Sequence, residues 1–504
     1  MSRLSAFFLA CAIILTPAHG ATAETVLRIG TQVLPDSRGN PYTNFGGALM
    51  MLWGTMFDTL TIIDDRTGDV SPSLAVAWEE TSPTEWRVRL RDGVVFSNGV
   101  PFTAETIVAL TNFLKSPEAQ AFRIPLQFEG IESARAIDPL TVAFTLKRPD
   151  PVFARLLSFF WVIEPGQLQR LGIAGFANAP IGTGPYRLKE WRNERAIFER
   201  NPTAWQAAPT ERLEFITMAD TTSRVKALIS GSLDVVVQMA PEDTPAVEAA
   251  GGRALDVPLA SVATLAFIQT RAEDSPLKDV RVRRALNYAV NREAIARIIM
   301  GGAATPSGQF AARGILGHDP SIAPFPYDPA KAKTLLAEAG YAKGFRFTLN
   351  LIVGGSMAES AAYQQVAADL AQIGVEMRLE PVAPPIYARN FVNGKWSGEA
   401  FVLTYNGELL WDGLWALRFS SCMNENGWFC DRAIQPVIEA AFAAPRLEER
   451  ERLTREAMRH YHEQAYALYL YETVRITGIG RNVKNFGLSH NRLRFAEIEM
   501  RTAP

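Results

Sequence analysis

Apolar positions along this 504-residue chain recur with two periods. Where they alternate one by one a half-buried strand is predicted, and where they return every three or four residues a helix. Residues 26–30 read as a first strand, and the irregular stretch 32–47 after it is rich in Pro, Asn and Gly, the composition of a loop that lines sites. Between residues 59 and 99, short alternating segments are split by Asp-Asp, Thr-Gly, Ser-Pro and Asp-Gly turns, which predicts antiparallel strands. Thr103 is set to cap a helix with Glu105 in its first turn and Ile107, Leu110 and Leu114 on one face. Two glycines and two prolines make residues 180–185 a shaped corner, and residues 186–191 then read as a strand turning at 192–195 toward a partner at 196–200.

The second half changes rhythm. Residues 222–230 are helical in pattern and 235–237 a strand, and Val282, Ala285, Leu286 and Ala289 form an apolar helix face whose neighbouring arginines are predicted to face solvent. Asp328 is an N-cap, Pro329 occupies the first helical position, Leu335 and Leu336 point inward and Gly340 stops the helix. An alternating strand, 345–353, follows. Ser356 and Glu359 read as a capping box, Val366, Leu370 and Ile373 as the face of that helix, and Val375, Met377 and Leu379 as the next strand. Strand, helix and strand in that order predict a parallel pair, hence an α/β domain. A charged helix with Glu448/Arg452 and Glu451/Arg455 as i,i+4 pairs leads to a last strand over 466–473.

Composition narrows the class. At 48% hydrophobic and 21% charged the chain is ordinary globular material of roughly three domains. Its net charge of -2 provides no global basic field for nucleic acid or an anionic membrane. Arg3, an apolar run over 4–15 too short to span a bilayer, Pro17 and Ala21-Thr22-Ala23 make residues 1–23 a secretory signal peptide, which predicts export. Cys422 and Cys430 then remain, and eight residues apart in an oxidising compartment they read as a disulfide rather than a metal site.

Catalytic patterns fail one by one. His460, His462 and Glu463 lack the second histidine of a zinc helix, because Tyr466 stands there. Ala358 breaks a nucleophile elbow, and Ser223-Arg224-Val225-Lys226 has neither companion motif of the penicillin-recognising enzymes. No catalytic, metal or cofactor site is expected. The informative feature is aromatic: between Tyr387 and Phe429 lie Trp396, Trp411, Trp415 and Trp428 with Phe391, Phe401, Tyr405 and Phe419. Beside them the turn Asn406-Gly407-Glu408-Leu409-Leu410-Trp411-Asp412-Gly413 sets two carboxylates against apolar walls, the makeup of a binding pocket.

Several strings carry a resemblance: Gly182-Thr183-Gly184-Pro185-Tyr186, Glu199-Arg200-Asn201-Pro202 and Trp205; Ser73-Leu74-Ala75 with Trp78; Leu90-Arg91-Asp92-Gly93-Val94; Pro101-Phe102-Thr103-Ala104-Glu105; and Pro276-Leu277 with residues 279–286. Over nearly the whole mature chain they resemble the bacterial extracellular solute-binding proteins of family 5, which include dipeptide-, oligopeptide- and nickel-binding members of ABC importers. The resemblance implies a two-lobed periplasmic binding protein fold (type II, large three-domain variant), α/β with mixed sheets and a hinge. Its domains would be 24–58 + 176–262 + 475–504, an inserted 59–175, and 263–474. It implies a monomeric periplasmic protein that closes on a small-molecule or peptide ligand and delivers it to permease subunits in the inner membrane. A secreted hydrolase and a ligand-sensing partner of a receptor remain the alternatives. Asn44 and Phe45 would border the cleft. Tyr405 matches the aromatic residue that, in the peptide-binding members, precedes by three positions an aspartate that holds the ligand's amino group, and Glu408 stands in that place. Asn406, Trp411 and Asp412 join the candidates, with Arg389 and Arg418 available for a ligand carboxylate.

Overall fold

The structure, a computed structural model, describes residues 25–501 other than 44–46, 65–66, 123, 270–273, 354–356, 409, 425–426 and 490–491. The predicted signal peptide, Asn44, Phe45 and Ser356 lie outside the described residues.

One mixed sheet of eleven strands runs through the molecule. Its first wing places Val26–Thr31 between two parallel neighbours, Arg212–Thr217 and Val235–Met239, with the hairpin Tyr186–Arg192 and Arg195–Arg200 at the edge. Its second wing pairs Phe345–Ile352 parallel to both Val375–Val382 and Ala400–Asn406, as the strand-helix-strand pattern requires. Two long antiparallel strands, Arg253–Phe267 and Ala467–Ile479, span the join and belong to both wings. The strand Ala467–Ile479 is therefore longer than the predicted 466–473, running past residue 473 to pair with Val235–Met239. A separate four-stranded antiparallel sheet holds Ala75–Ser82, Glu85–Leu90, Thr141–Leu146 and Ile131–Asp138.

Side-chain alternation decides which residues reach which core. Along Ala400–Asn406, Phe401, Leu403 and Tyr405 enter one apolar cluster with Trp396, Trp428 and Tyr461, while Ala400 and Val402 enter another with Leu349, Val366 and Leu468. A third cluster is shared by the four-stranded sheet and the first wing, through Trp53, Phe144, Phe160, Trp161, Phe198 and Phe215. Each such side chain fully removed from water contributes about 1.5 to 3 kcal/mol.

The corner at residues 180–185 shows why glycine is needed there. A Cβ on Gly182 would lie 2.2 Å from the Met56 carbonyl oxygen, and one on Gly184 2.5 Å from the Met56 carbonyl carbon. Gly184 N donates to Met56 O at 2.9 Å, and between the glycines the buried Thr183 donates its hydroxyl to Asp58 Oδ2 at 2.7 Å. Asn201 Nδ2 completes the joint on Gly184 O at 2.8 Å. The helices follow their caps: Asp328 Oδ1 accepts from Lys331 N at 2.9 Å, and Gly340 ends that helix with φ 87°.

Two expectations are corrected. Arg283 is not solvated but 3% exposed. Its Nε donates to Gln464 O at 2.9 Å, its Nη1 to Leu277 O and Lys278 O, and its guanidinium lies 4.9 Å from the Tyr466 ring centre. Burial lowers it to about 10. On the exposed face of the helix Leu447–Glu463, Glu451 pairs with Arg455 as predicted, but Arg452 takes Glu449 at 2.9 Å and Glu456 at 3.2 Å rather than Glu448.

Candidate functional site

A cleft of about 430 Å3 opens between the two wings. One side is formed by Met50, Leu126, Gln127 and Phe159, from the N-terminal part of the chain. The other is formed by residues 403–406 and 408 with Phe391, Trp415, Ala416, Phe419, Ser420 and Trp428. Walls of aromatic and aliphatic carbon with a few polar groups are what a selective small-molecule site requires.

The end of the strand Ala400–Asn406 positions the centre of this wall. Tyr405 is 4% exposed and stacks on Phe310 with ring centres 3.6 Å apart. Its hydroxyl shares a hydrogen bond of 2.5 Å with Ser420 Oγ. Burial raises the Tyr405 phenol above its ordinary range, so it stays neutral at physiological pH. Beyond the strand the chain turns at once: Gly407 N donates to Ala260 O at 2.7 Å, and Glu408 N to Asn406 Oδ1 at 2.7 Å. That turn leaves the Glu408 carboxylate half-buried against the cleft, with Asn406 and Thr404 more exposed beside it.

The remainder of the turn is structural. Trp411 adopts φ 51°, unusual for a bulky residue, and Leu316 N donates to its carbonyl at 2.9 Å. Trp411 is 2% exposed and does not line the cleft. Asp412 does not line it either. Its Oδ1 caps the helix Gly413–Leu417 by accepting Leu414 N at 2.9 Å, and its Oδ2 accepts Arg450 Nε and Nη2 at 2.9 and 2.5 Å. Arg389 and Arg418 are exposed outside the cleft, Arg418 lying 5.6 Å from the Trp415 ring centre. Of the nine candidates, Tyr405, Asn406 and Glu408 are thus brought together.

Cys422 and Cys430 are bonded to each other, Cα to Cα 4.5 Å, and they close a loop that contains Trp428 and follows Phe419 and Ser420, all three of which line the cleft. Sequence reasoning missed Met50, Leu126, Gln127, Phe159 and Ser420. The first four have no local signal, because they meet the other wall only through the tertiary fold. Elsewhere His460 Nε2 lies 2.6 Å from Asp431 Oδ2, and His462 Nδ1 2.8 Å from Gly308 O. Among the described residues no cluster of three or more His, Cys, Asp or Glu side chains is placed to hold a metal, and no helix is long and apolar enough to cross a membrane.

Comparison with known proteins agrees with this architecture. The solved structure of CtaP, an ABC transporter substrate-binding protein from Listeria monocytogenes, superposes with TM-score 0.82 over 95% of this chain and 99% of its own, at 19% identity. The periplasmic binding protein DppA from Helicobacter pylori, solved with the peptide STSA, gives TM-score 0.77 over 95% and 99%, at 21% identity. The fold is therefore that of the periplasmic binding proteins. In sequence, the glutathione-binding protein GsiB of Salmonella paratyphi A is 31% identical over 300 residues, 58% of this chain. The match spans 57% of that protein's length. These relatives are named as binding proteins, not enzymes. The family described as Bacterial extracellular solute-binding proteins, family 5 Middle, matches residues 69–406. The chain belongs to the bacterial extracellular solute-binding proteins of family 5.

Proposed function

We propose that this protein is the exported solute-binding component of an ABC importer. It captures a peptide or a related amine-bearing, amino-acid-like solute between its two wings and presents the closed form to permease subunits in the inner membrane. The observation that carries this reading is the cleft itself, walled on one side by Met50, Leu126, Gln127 and Phe159 and on the other by Tyr405, Glu408, Trp415 and Phe419. A solute touching both walls stabilises the shut form over the open one, and only such a difference drives a population toward closure. The two long strands Arg253–Phe267 and Ala467–Ile479, which belong to both wings, are the segments that would flex.

Within this reading residues 1–23 are a signal peptide removed on export, and the mature protein acts as a monomer in the periplasm. The segments 24–58, 176–262 and 475–504 form one domain, 59–175 an insert and 263–474 the second lobe; the pairing of Ala467–Ile479 with Val235–Met239 supports the return of the chain near residue 475. Glu408 meets the ammonium of the solute. Names of relatives that bind glutathione or peptide support an amino-acid-derived ligand.

The test is mass spectrometry of solute co-purified from the native host, followed by calorimetry and X-ray scattering with the identified compound. Binding should reduce the radius of gyration and raise the unfolding free energy by about 2.7 kcal/mol at hundredfold excess over Kd. A bound solute that leaves the radius unchanged would argue for a preformed rigid pocket.

A further inference from the structure

Arg475 lies on the long strand Ala467–Ile479, opposite Val257, behind the Glu408 turn and not itself among the residues that line the cleft. Between Pro258 and Val262 the neighbouring strand slips register against it. Into that irregularity docks the turn that carries Glu408, through Gly407 N on Ala260 O, while Ser261 Oγ and Thr473 Oγ1 lie 2.5 Å apart across the strands. The slip thus sets the Glu408 turn against the length of strand that leads to Arg475.

Arg475 is 6% exposed, yet among the described residues its Nε and Nη2 have no hydrogen-bond partner. Two residues further, on the same face of the strand, the buried Thr477 Oγ1 is also unpartnered. Arg155 Nη1 and Arg224 Nε are also buried without a partner, but each is a single nitrogen, whereas Arg475 leaves two of one edge so; Arg283 and Arg292 give their Nε and Nη1 to main-chain carbonyls, and Arg450 gives Nε and Nη2 to Asp412. Burial pushes the Arg475 guanidinium below the ordinary arginine range, and the opposing charge acting on it is that of Glu408. Folded proteins pair nearly all their buried donors, so a charged edge without one calls for a function.

Nε and Nη2 form one edge of the planar guanidinium, spaced to take both oxygens of a carboxylate. A dianionic group such as phosphate would be repelled by the nearby Glu408, whereas a zwitterion presents one charge to each residue and keeps the set neutral. We propose that Arg475 is the anion anchor of the site, its Nε–Nη2 edge taking a carboxylate of a small zwitterionic solute whose ammonium meets Glu408. The inference rests on the reading of the cleft as a solute site.

The experiment is calorimetry with glutathione, dialanine and tetra-alanine, each with its carboxylates amidated in turn, on the wild type, Arg475→Gln and Arg475→Lys. For a probe that binds, amidating one carboxylate should weaken the wild type roughly 30-fold or more, the cost of breaking a buried charge pair. Arg475→Gln should weaken the free acid to a similar degree and make the same amidation nearly neutral. Arg475→Lys, which keeps the charge and loses the planar edge, should fall between. A wild type indifferent to amidation of every carboxylate overturns the proposal whether or not the variants fold, as does an amidation penalty equal in wild type and Arg475→Gln. Failure of all three probes to bind the wild type overturns the solute reading, and with it this inference, and so is distinguishable from failure of Arg475 alone.

Discussion

Asp412 holds Arg450 by two donors, Nε at 2.9 Å and Nη2 at 2.5 Å, with neither side chain more than 6% exposed. The pair joins the turn after residue 406 to the helix Leu447–Glu463, so it supports the cleft wall from behind. Removing one member of such a pair strands a buried charge, at about 3 to 5 kcal/mol. Asp412→Asn should lower the unfolding free energy by that amount in denaturant titration, while the Kd of the remaining folded protein stays near that of the wild type. A large loss of affinity with unchanged stability would instead make Asp412 a ligand group.

Glu408 makes the opposite expectation. It lines the cleft and sits half-buried three residues after Tyr405. Glu408→Gln should weaken an amine-bearing solute by roughly two to three orders of magnitude, at 1.4 kcal/mol per tenfold, with little change in the unfolding transition. Calorimetry beside thermal denaturation separates the two effects. An unaltered Kd would mean that no ammonium is held there.

The bond between Cys422 and Cys430 closes the loop that contains Trp428 and follows Phe419 and Ser420. Protein isolated from the periplasm should show no reactive thiol under denaturing conditions. Replacing both cysteines by serine should cost about 2 to 4 kcal/mol of stability. Two thiols titrating in the wild type would contradict this.

A pH dependence follows from Asp58. Its Oδ2 accepts Thr183 Oγ1 at 2.7 Å and Trp205 Nε1 at 2.9 Å, yet burial raises the carboxyl above its ordinary value against those bonds and the charges of Arg492 and Arg91. A raised carboxyl contributes stability that is fully present below its unfolded value, about 3.9, and is lost as pH rises through the folded value. The unfolding free energy of wild type minus that of Asp58→Asn should therefore be largest near the acid end and shrink toward neutrality. A difference that grows with pH would reverse the sign of the argument.

Periodicity and caps were enough to place most elements. Alternating apolar residues set the strands at 26–31 and 375–382, Asp328 with Pro329 set a helix start, and Gly340, with φ 87°, set a stop, because these signals act within one turn or one strand length. The strings around Gly182 and Gly184 also carried the family, since only glycine fits against Met56. Tyr405 and Glu408 were legible for a related reason: a strand end and the turn beyond it are local.

What only the tertiary structure decided is where charge goes once the chain is packed. Arg283 and Arg281 are alike in sequence, yet packing against residues 464–466 buries Arg283 and leaves Arg281 at the surface. Glu408 and Asp412 are equal candidates in one turn, and the approach of Arg450 from 38 residues away withdraws Asp412 from the cleft. The wall of Met50, Leu126, Gln127 and Phe159 exists only because residues between 50 and 159 pack opposite residues between 391 and 428. The sequence by itself determined most of the elements and the family, and it named residues on one wall of the cleft. The opposite wall, the buried ion pair and the unpartnered edge of Arg475 depend on contacts between segments far apart in the chain, which no local period encodes.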